Sequence, residues 1–228
     1  MAVVLISGFM ADETLWDDVA PALADFGPVI PLALREGETI EAMAEALLPA
    51  LPVRFHLVGF SMGGFVAREI VRLIPERVQS LVLVATSARG DTEEMIRQRR
   101  SALKSPPERF KGLSRPAIQS SLHPKLRDDA AMLARVRDMG VRLGGHIFHR
   151  QSFIARDGDL ERLGDITVPT LIVSADHDAL RSSAEQQELV QGIAGAKHTT
   201  VTDSGHMIPL EQPEALAEVL KDWLTRQD

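Results

Sequence analysis

The chain reads as an α/β protein in which helices cover both faces of a parallel sheet. Two observations predict this. Short apolar runs alternate with longer helical patterns along most of the 228 residues, and most of those runs are continuous apolar blocks. A strand buried on both faces has no polar side to show, so continuous blocks suit a parallel sheet better than alternation does. Strand, helix, strand in succession implies right-handed crossovers.

The elements follow in order. The opening run "VVLI", residues 3–6, is the first candidate strand, and residues 15–26 read as the helix after it. Strands are expected at 29–32, 55–58 and 81–84, with helices over 39–51 and 62–74 between them. After a long interval come a strand at 170–174, a helix at 184–193 and a strand at 199–201. The last helix, 213–226, begins on Pro213 and carries apolar residues at Leu216, Val219, Leu220, Trp223 and Leu224. Proline at a helix start and apolar residues on one face are both helix signals. About six parallel strands result.

Residues 88–160 break the rhythm. They contain no convincing strand, are rich in arginine, and include the helical stretches "DTEEMIRQRRSAL" and "DDAAMLARVRDMGV". Asp91 with Glu94 three residues on resembles a capping box at the start of the first. The expected organisation is a core made of residues 1–87 and 161–228, with 88–160 inserted as a helical cap packed on the sheet.

Bulk properties exclude several classes of function. A formal net charge of −7 argues against nucleic acid or an anionic membrane as partner, because both require concentrated positive charge. The absence of cysteine rules out disulfides, thiolate metal sites and a cysteine nucleophile. The apolar N-terminus lacks a basic region and a small-residue cleavage site, and no apolar run approaches the roughly 18 residues a membrane span needs. A soluble, cytoplasmic monomer or homodimer is expected.

The chemistry centres on "VGFSMGG". Ser61 lies between a predicted strand and a predicted helix, with Gly59 and Gly63 two residues either side. A serine nucleophile needs its hydroxyl thrust outward on a sharp turn, and small neighbours give it room; Gly64 lets the helix lie close to adjacent strands. The helix N-terminus supplies free N–H groups for a developing oxyanion. Serine also needs a base. Of seven histidines, His206 in "VTDSGHMIPL" stands out, in a turn between the last strand and the terminal helix. His56 falls within a strand and suits a core role; His123, His146 and His149 belong to the helical insertion. The base in turn needs a buried acid. "TLIVSADHDAL" offers Asp176 and Asp178 beyond the end of a strand, where sites of open parallel sheets form, and either suits.

The segments "LISGFMADETLWDDV", "LVGFSMGGFVAREIVRLIPERVQSLVLVATSAR", "VPTLIVSADHDAL" and "VTDSGHMIPLEQPEALAEVLKDWL" together resemble the α/β-hydrolase fold superfamily over essentially the whole length. The resemblance implies a three-layer fold with Ser61 as nucleophile, His206 as general base and Asp178 as the acid, since the family pattern after this strand favours the later aspartate. It also implies an oxyanion hole from the backbone N–H groups of Phe9 and Met62. Ser7-Gly8 stands where relatives often have His-Gly, which alters what braces that loop. The first two strands of the larger family sheet and a "PGHG"-like turn are missing. The implied activity is carboxylic-ester hydrolysis of small esters or lactones through an acyl-enzyme. The same triad in the family also serves carbon–carbon bond hydrolases, a cyclohexadiene carboxylate synthase, thioesterases, perhydrolases and, in another class, ligand-binding receptors. No cofactor and no metal are implied: a zincin pattern and a nucleotide fingerprint are both lacking. Apolar residues of the insertion, among them Phe110, Leu113, Ile118, Met139, Phe148 and Phe153, are expected mainly as core between cap and sheet. Arg97, Arg99, Arg100, Arg109 and Arg115 are expected to form a solvated helix face, with a carboxylate-bearing substrate as the alternative.

Overall fold

A computed structural model describes residues 1–101, 103, 106–154 and 156–227, with the side chains at 98, 100 and 101 outside the description. Among the described residues, six strands form one sheet: β1 Ala2–Ile6, β2 Val29–Leu32, β3 Phe55–Phe60, β4 Val78–Val84, β5 Thr170–Ala175 and β6 Lys197–Val201. The order is β2-β1-β3-β4-β5-β6 and every pairing is parallel. Strand order reverses between β1 and β3, so a crevice opens beyond their carboxyl ends. The register sets Ile6 beside Gly59 and Gly59 beside Leu83, so the three strands finish level.

The continuous apolar runs divide by the period of two. Val3, Leu5, Val58, Phe60 and Val82 face one layer; Val4, Ile6, Leu57, Leu81 and Leu83 face the other. Each such buried side chain contributes about 1.5–3 kcal/mol relative to exposure. Helices α1 Ile40–Leu47, α2 Met62–Leu73 and, further on, α7 Ser183–Gly192 cover the second face. The first is covered by the segment after β1 and by α8 Ile208–Glu211 and α9 Pro213–Thr225. Between β4 and β5 lie α3 Glu93–Ser101, α4 Arg115–Ser121, α5 Ala130–Leu143 and α6 Gly145–Phe153. No helix among the described residues is long and apolar enough to cross a membrane.

Two local expectations are corrected. Residues 15–26 form two 3₁₀ segments, Glu13–Trp16 and Ala20–Phe26, instead of one α-helix. Pro21 has no N–H for an α-helical bond, and Asp12 caps the first turn through Thr14. The capping box at Asp91 and Glu94 is not formed either. Thr92 accepts from the Met95 N–H at 3.2 Å and α3 starts at Glu93, while the Asp91 carboxylate is taken by two arginines. Two guanidinium partners, each a charge-assisted donor, occupy the carboxylate that a cap would have used.

Candidate active site

Ser61 sits between β3 and α2 with φ 52° and ψ −116°, a conformation that costs a non-glycine residue about 1–3 kcal/mol. Neighbouring backbone holds it there. Its N–H donates to Val84 O at 2.9 Å, and its carbonyl accepts from Thr86 Oγ1 at 2.7 Å and from the Gly64 N–H at 3.0 Å. The glycines admit no substitute: a Cβ at Gly59 would stand 2.6 Å from Gly63 O, one at Gly63 would stand 2.6 Å from Ser7 O, and one at Gly64 would meet the Thr86 side chain at 2.5 Å.

His206 and Asp178 come from separate loops. His206 Nε2 lies 2.9 Å from Ser61 Oγ, and its Nδ1 lies 2.8 Å from Asp178 Oδ2. Asp178 Oδ1 accepts from the main-chain N–H groups of Leu180 and Arg181 at 2.8 and 3.0 Å, which fixes the carboxylate and leaves Oδ2 for the histidine. Both side chains of this pair are buried. With the proton of His206 on Nδ1, the bare Nε2 is aimed at the serine hydroxyl, an arrangement able to take up its proton.

Asp176, two residues earlier, points elsewhere. Its carboxylate accepts from the N–H groups of Asp203 and Ser204 at 3.0 and 3.2 Å and pairs with His177 at 2.8 Å. Desolvation pushes its pKa up, but those N–H groups and His177 outweigh it and hold it at about 2. Asp176 thus ties the loop after β5 to the loop that carries His206.

The loop after β1 lies against the serine: a Cβ on Gly8 would stand 3.0 Å from Ser61 Cβ. Ser7 is buried and braces this loop, donating from Oγ to Asp12 O at 3.0 Å and accepting from Trp16 Nε1 at 3.1 Å. Met10, at φ 52°, is held by Gln151 of α6, whose amide oxygen accepts its N–H at 2.8 Å while the amide nitrogen donates to Leu34 O. Among the described residues, the N–H groups of Phe9 and Met62 donate to no protein acceptor.

Phe9, Ser61 and His206 open into a cavity of about 280 Å³. Leu113 and Met139, two of the expected core residues, line it, whereas Phe153 is exposed. Of the arginines foreseen as a solvated face, Arg97 and Arg115 are indeed exposed and paired with Glu94 and Asp128. Arg99 instead faces the cavity, Arg109 lines a separate groove, and the Arg100 side chain lies outside the described residues. His56 is buried in β3 against Ser80 at 2.8 Å, and His123 caps a turn through Lys125.

Three contributors to the site escape sequence reading. Glu211 accepts from His123 N–H at 2.7 Å and from Gly205 and Met207, which flank His206, at 3.1 and 2.9 Å. Burial raises its pKa, against the lowering effect of those three N–H groups. Arg156 and Arg181 both line the cavity. Arg181 was discoverable, three residues past Asp178; nothing in the local pattern marks Arg156 or Glu211.

The chain is similar over nearly its full length to proteins of known kind. It shares 26% identity with a pimeloyl-[acyl-carrier protein] methyl ester esterase of Photobacterium profundum, over 97% of this chain and 94% of that protein. It shares 28% with a pyrrolizixenacetamide deacetylase of Xenorhabdus hominickii, over 99% and 91%. Among solved structures, a thermophilic esterase from Thermogutta terrifontis superposes with a TM-score of 0.87 at 26% identity, covering 100% of this chain and 90% of that one. The model of the alpha/beta hydrolase family matches residues 3–219, the six-stranded sheet and Ser61 included, and the chain belongs to that family.

Proposed function

We propose that the protein is a serine hydrolase that cleaves carboxylic esters or lactones of small substrates. In this reading Ser61 Oγ attacks the acyl carbon while His206 Nε2 takes its proton, and Asp178 holds the imidazole and stabilises its charged form. The N–H groups of Phe9 and Met62 receive the oxyanion, each worth about 10²–10³ in rate. His206 returns the proton to the leaving alcohol, water enters, and the same histidine activates it to release the acid. Residues 88–160 act as the cap that shapes the acyl pocket.

The observation that carries the reading is the unbroken chain from Asp178 through His206 to Ser61, at 2.8 and 2.9 Å, opening on a cavity. The ester and amide hydrolases among its relatives support the reaction class. Fluorophosphonate labelling followed by intact mass, with Ser61→Ala as control, tests it. One adduct on the wild-type protein and none on the variant is expected, together with turnover in a panel of p-nitrophenyl esters, lactones and thioesters. Absence of an adduct would overturn it in favour of a binding role.

A further inference from the structure

The lining of the cavity carries an excess of positive charge. Arg99 comes from α3, Arg156 from the chain after α6, and Arg181 from the loop after β5. Asp91 is shared by two of them, with Arg99 Nη1 at 3.0 Å and Arg156 Nη2 at 2.9 Å. Among the described residues, the Arg181 side chain has only a long contact, 3.4 Å, to Glu185, and that carboxylate is already engaged by the Ser182 N–H and hydroxyl at 2.7 and 2.8 Å. Among the described residues, three guanidinium groups therefore share two carboxylates. The Nε atoms of Arg99 and Arg181 are buried without a partner among the described residues. Desolvation lowers the Arg156 pKa, and although Asp91 opposes this, the charges of Arg99 and Arg181 lower it further, as expected of cations close enough to repel.

Buried guanidinium groups with donors to spare are costly unless an anion completes them, and a planar carboxylate fits their fork geometry. We propose that this arginine wall is an anion subsite, and that the substrate carries a carboxylate besides the ester: a monoester of a short dicarboxylic acid, or a lactone bearing a carboxylate. The cavity volume of about 280 Å³ suits a short chain, lying at the bottom of the usual range for ligand pockets. This assignment rests on the hydrolase reading of the same cavity and names its substrate class.

The test compares kcat/KM for the monomethyl esters of succinic, glutaric and adipic acid with that for methyl esters of the monocarboxylic acids of equal chain length. The wild-type enzyme is expected to prefer the anionic series. Arg181→Met and Arg99→Met each lower that preference by about tenfold to a hundredfold, the worth of one hydrogen bond to a charged group. Arg97→Met, on the exposed face of α3, preserves it. Arg99→Met removes one of the ligands of Asp91, and if it melts early Arg181→Met decides alone, because Arg181 steadies Asp178 through its main chain. A wild-type enzyme indifferent to the carboxylate, or variants that slow both series equally, would overturn the proposal. If no ester is turned over and Ser61 takes no adduct, the hydrolase reading fails by itself, and calorimetric titration with glutarate then reads the subsite. Saturable binding abolished in Arg181→Met sustains the anion subsite; no binding to the wild-type protein disposes of it.

Discussion

The sheet rim and the helices above it are held in place by different forces. At the rim, Ser61, Asp178 and His206 are positioned by hydrogen bonds that each use the main chain on at least one side: Val84 O and the Thr86 hydroxyl for the first, the Leu180 and Arg181 N–H groups for the second, Ser121 O and the loop braced by the Glu211 carboxylate for the third. Above it, the helices between β4 and β5 bury Ile118, Leu122, Val136 and Met139 in the core and are further tied down by charged side chains. Asp91 gathers Arg99 and Arg156, Arg142 reaches Asp12 at 2.6 Å, and Arg135 reaches Asp18 at 2.5 Å. Geometry that must be kept within tenths of an ångström is entrusted to backbone anchored in an apolar sheet. Apolar packing supplemented by side-chain ion pairs, several of them exposed, holds the helices that carry part of the cavity lining. A substitution at the rim is therefore expected to strike kcat, and one in the helices to strike substrate preference.

The sharpest way to break that contrast is Ser61→Ala, expected to lower turnover by about 10⁴-fold or more without changing the melting temperature much. Loss of rate by only a few fold would remove the rim from the chemistry. Next is the pair Asp178→Asn and Asp176→Asn. The first is expected to cost about 10⁴ in kcat, because the amide disfavours the imidazole tautomer that serves the serine. The second is expected to cost less than about tenfold in rate, since Asp176 bonds to backbone and His177 rather than to His206. If Asp176→Asn alone were crippled, the acid has been misassigned.

Asp176 also yields a pH prediction. Its pKa is about 2 in the folded chain against an ordinary 3.8, so its stabilising contribution is present above pH 3.8 and is lost as pH falls through 2. The gap in melting temperature between wild type and Asp176→Asn should be widest above pH 4 and shrink as pH falls towards and through 2; a gap that widens on acidification contradicts the loop-tying role. A smaller effect is expected at Glu211→Gln. Both oxygens accept N–H groups around His206, and an amide NH₂ would confront at least one of them. A fall in kcat of about tenfold with KM little changed is expected; a change confined to KM would take Glu211 out of the positioning of His206. The smallest effect tests the helices. Raising salt from 0.1 to 1 M shortens the Debye length from about 10 to 3 Å. Hydrogen exchange should then quicken a few-fold in α3 to α6 while β3 and β4 stay protected; uniform behaviour would erase the distinction between the two regions.

Strands, their parallel arrangement and the turn at Ser61 were legible in the sequence because each depends on local chemistry. A strand buried on both faces must be apolar throughout, as "FHLV" and "LVLV" nearly are, and a reversed φ beside close-packed backbone demands glycines where Gly59, Gly63 and Gly64 stand. Pro21, with no N–H to donate, is the local feature that breaks the single helix expected over 15–26. Other features had no local signature. Asp176 and Asp178 are two residues apart on one loop, and nothing in their neighbours says which faces His206; that follows from where the chain turns, with the N–H groups of Leu180 and Arg181 meeting one carboxylate and those of Asp203 and Ser204 meeting the other. Gln151 holding Met10, Glu211 bracing the histidine loop, and Arg99, Arg156 and Arg181 meeting over one cavity are likewise juxtapositions of distant segments. By itself the sequence determined most of the secondary structure, the parallel sheet and a short list of reactive side chains, since periodicity and steric demand act between near neighbours. Only the tertiary structure decided which of those side chains meet and which charges line the cavity, because a side chain's partner depends on the path of the whole chain.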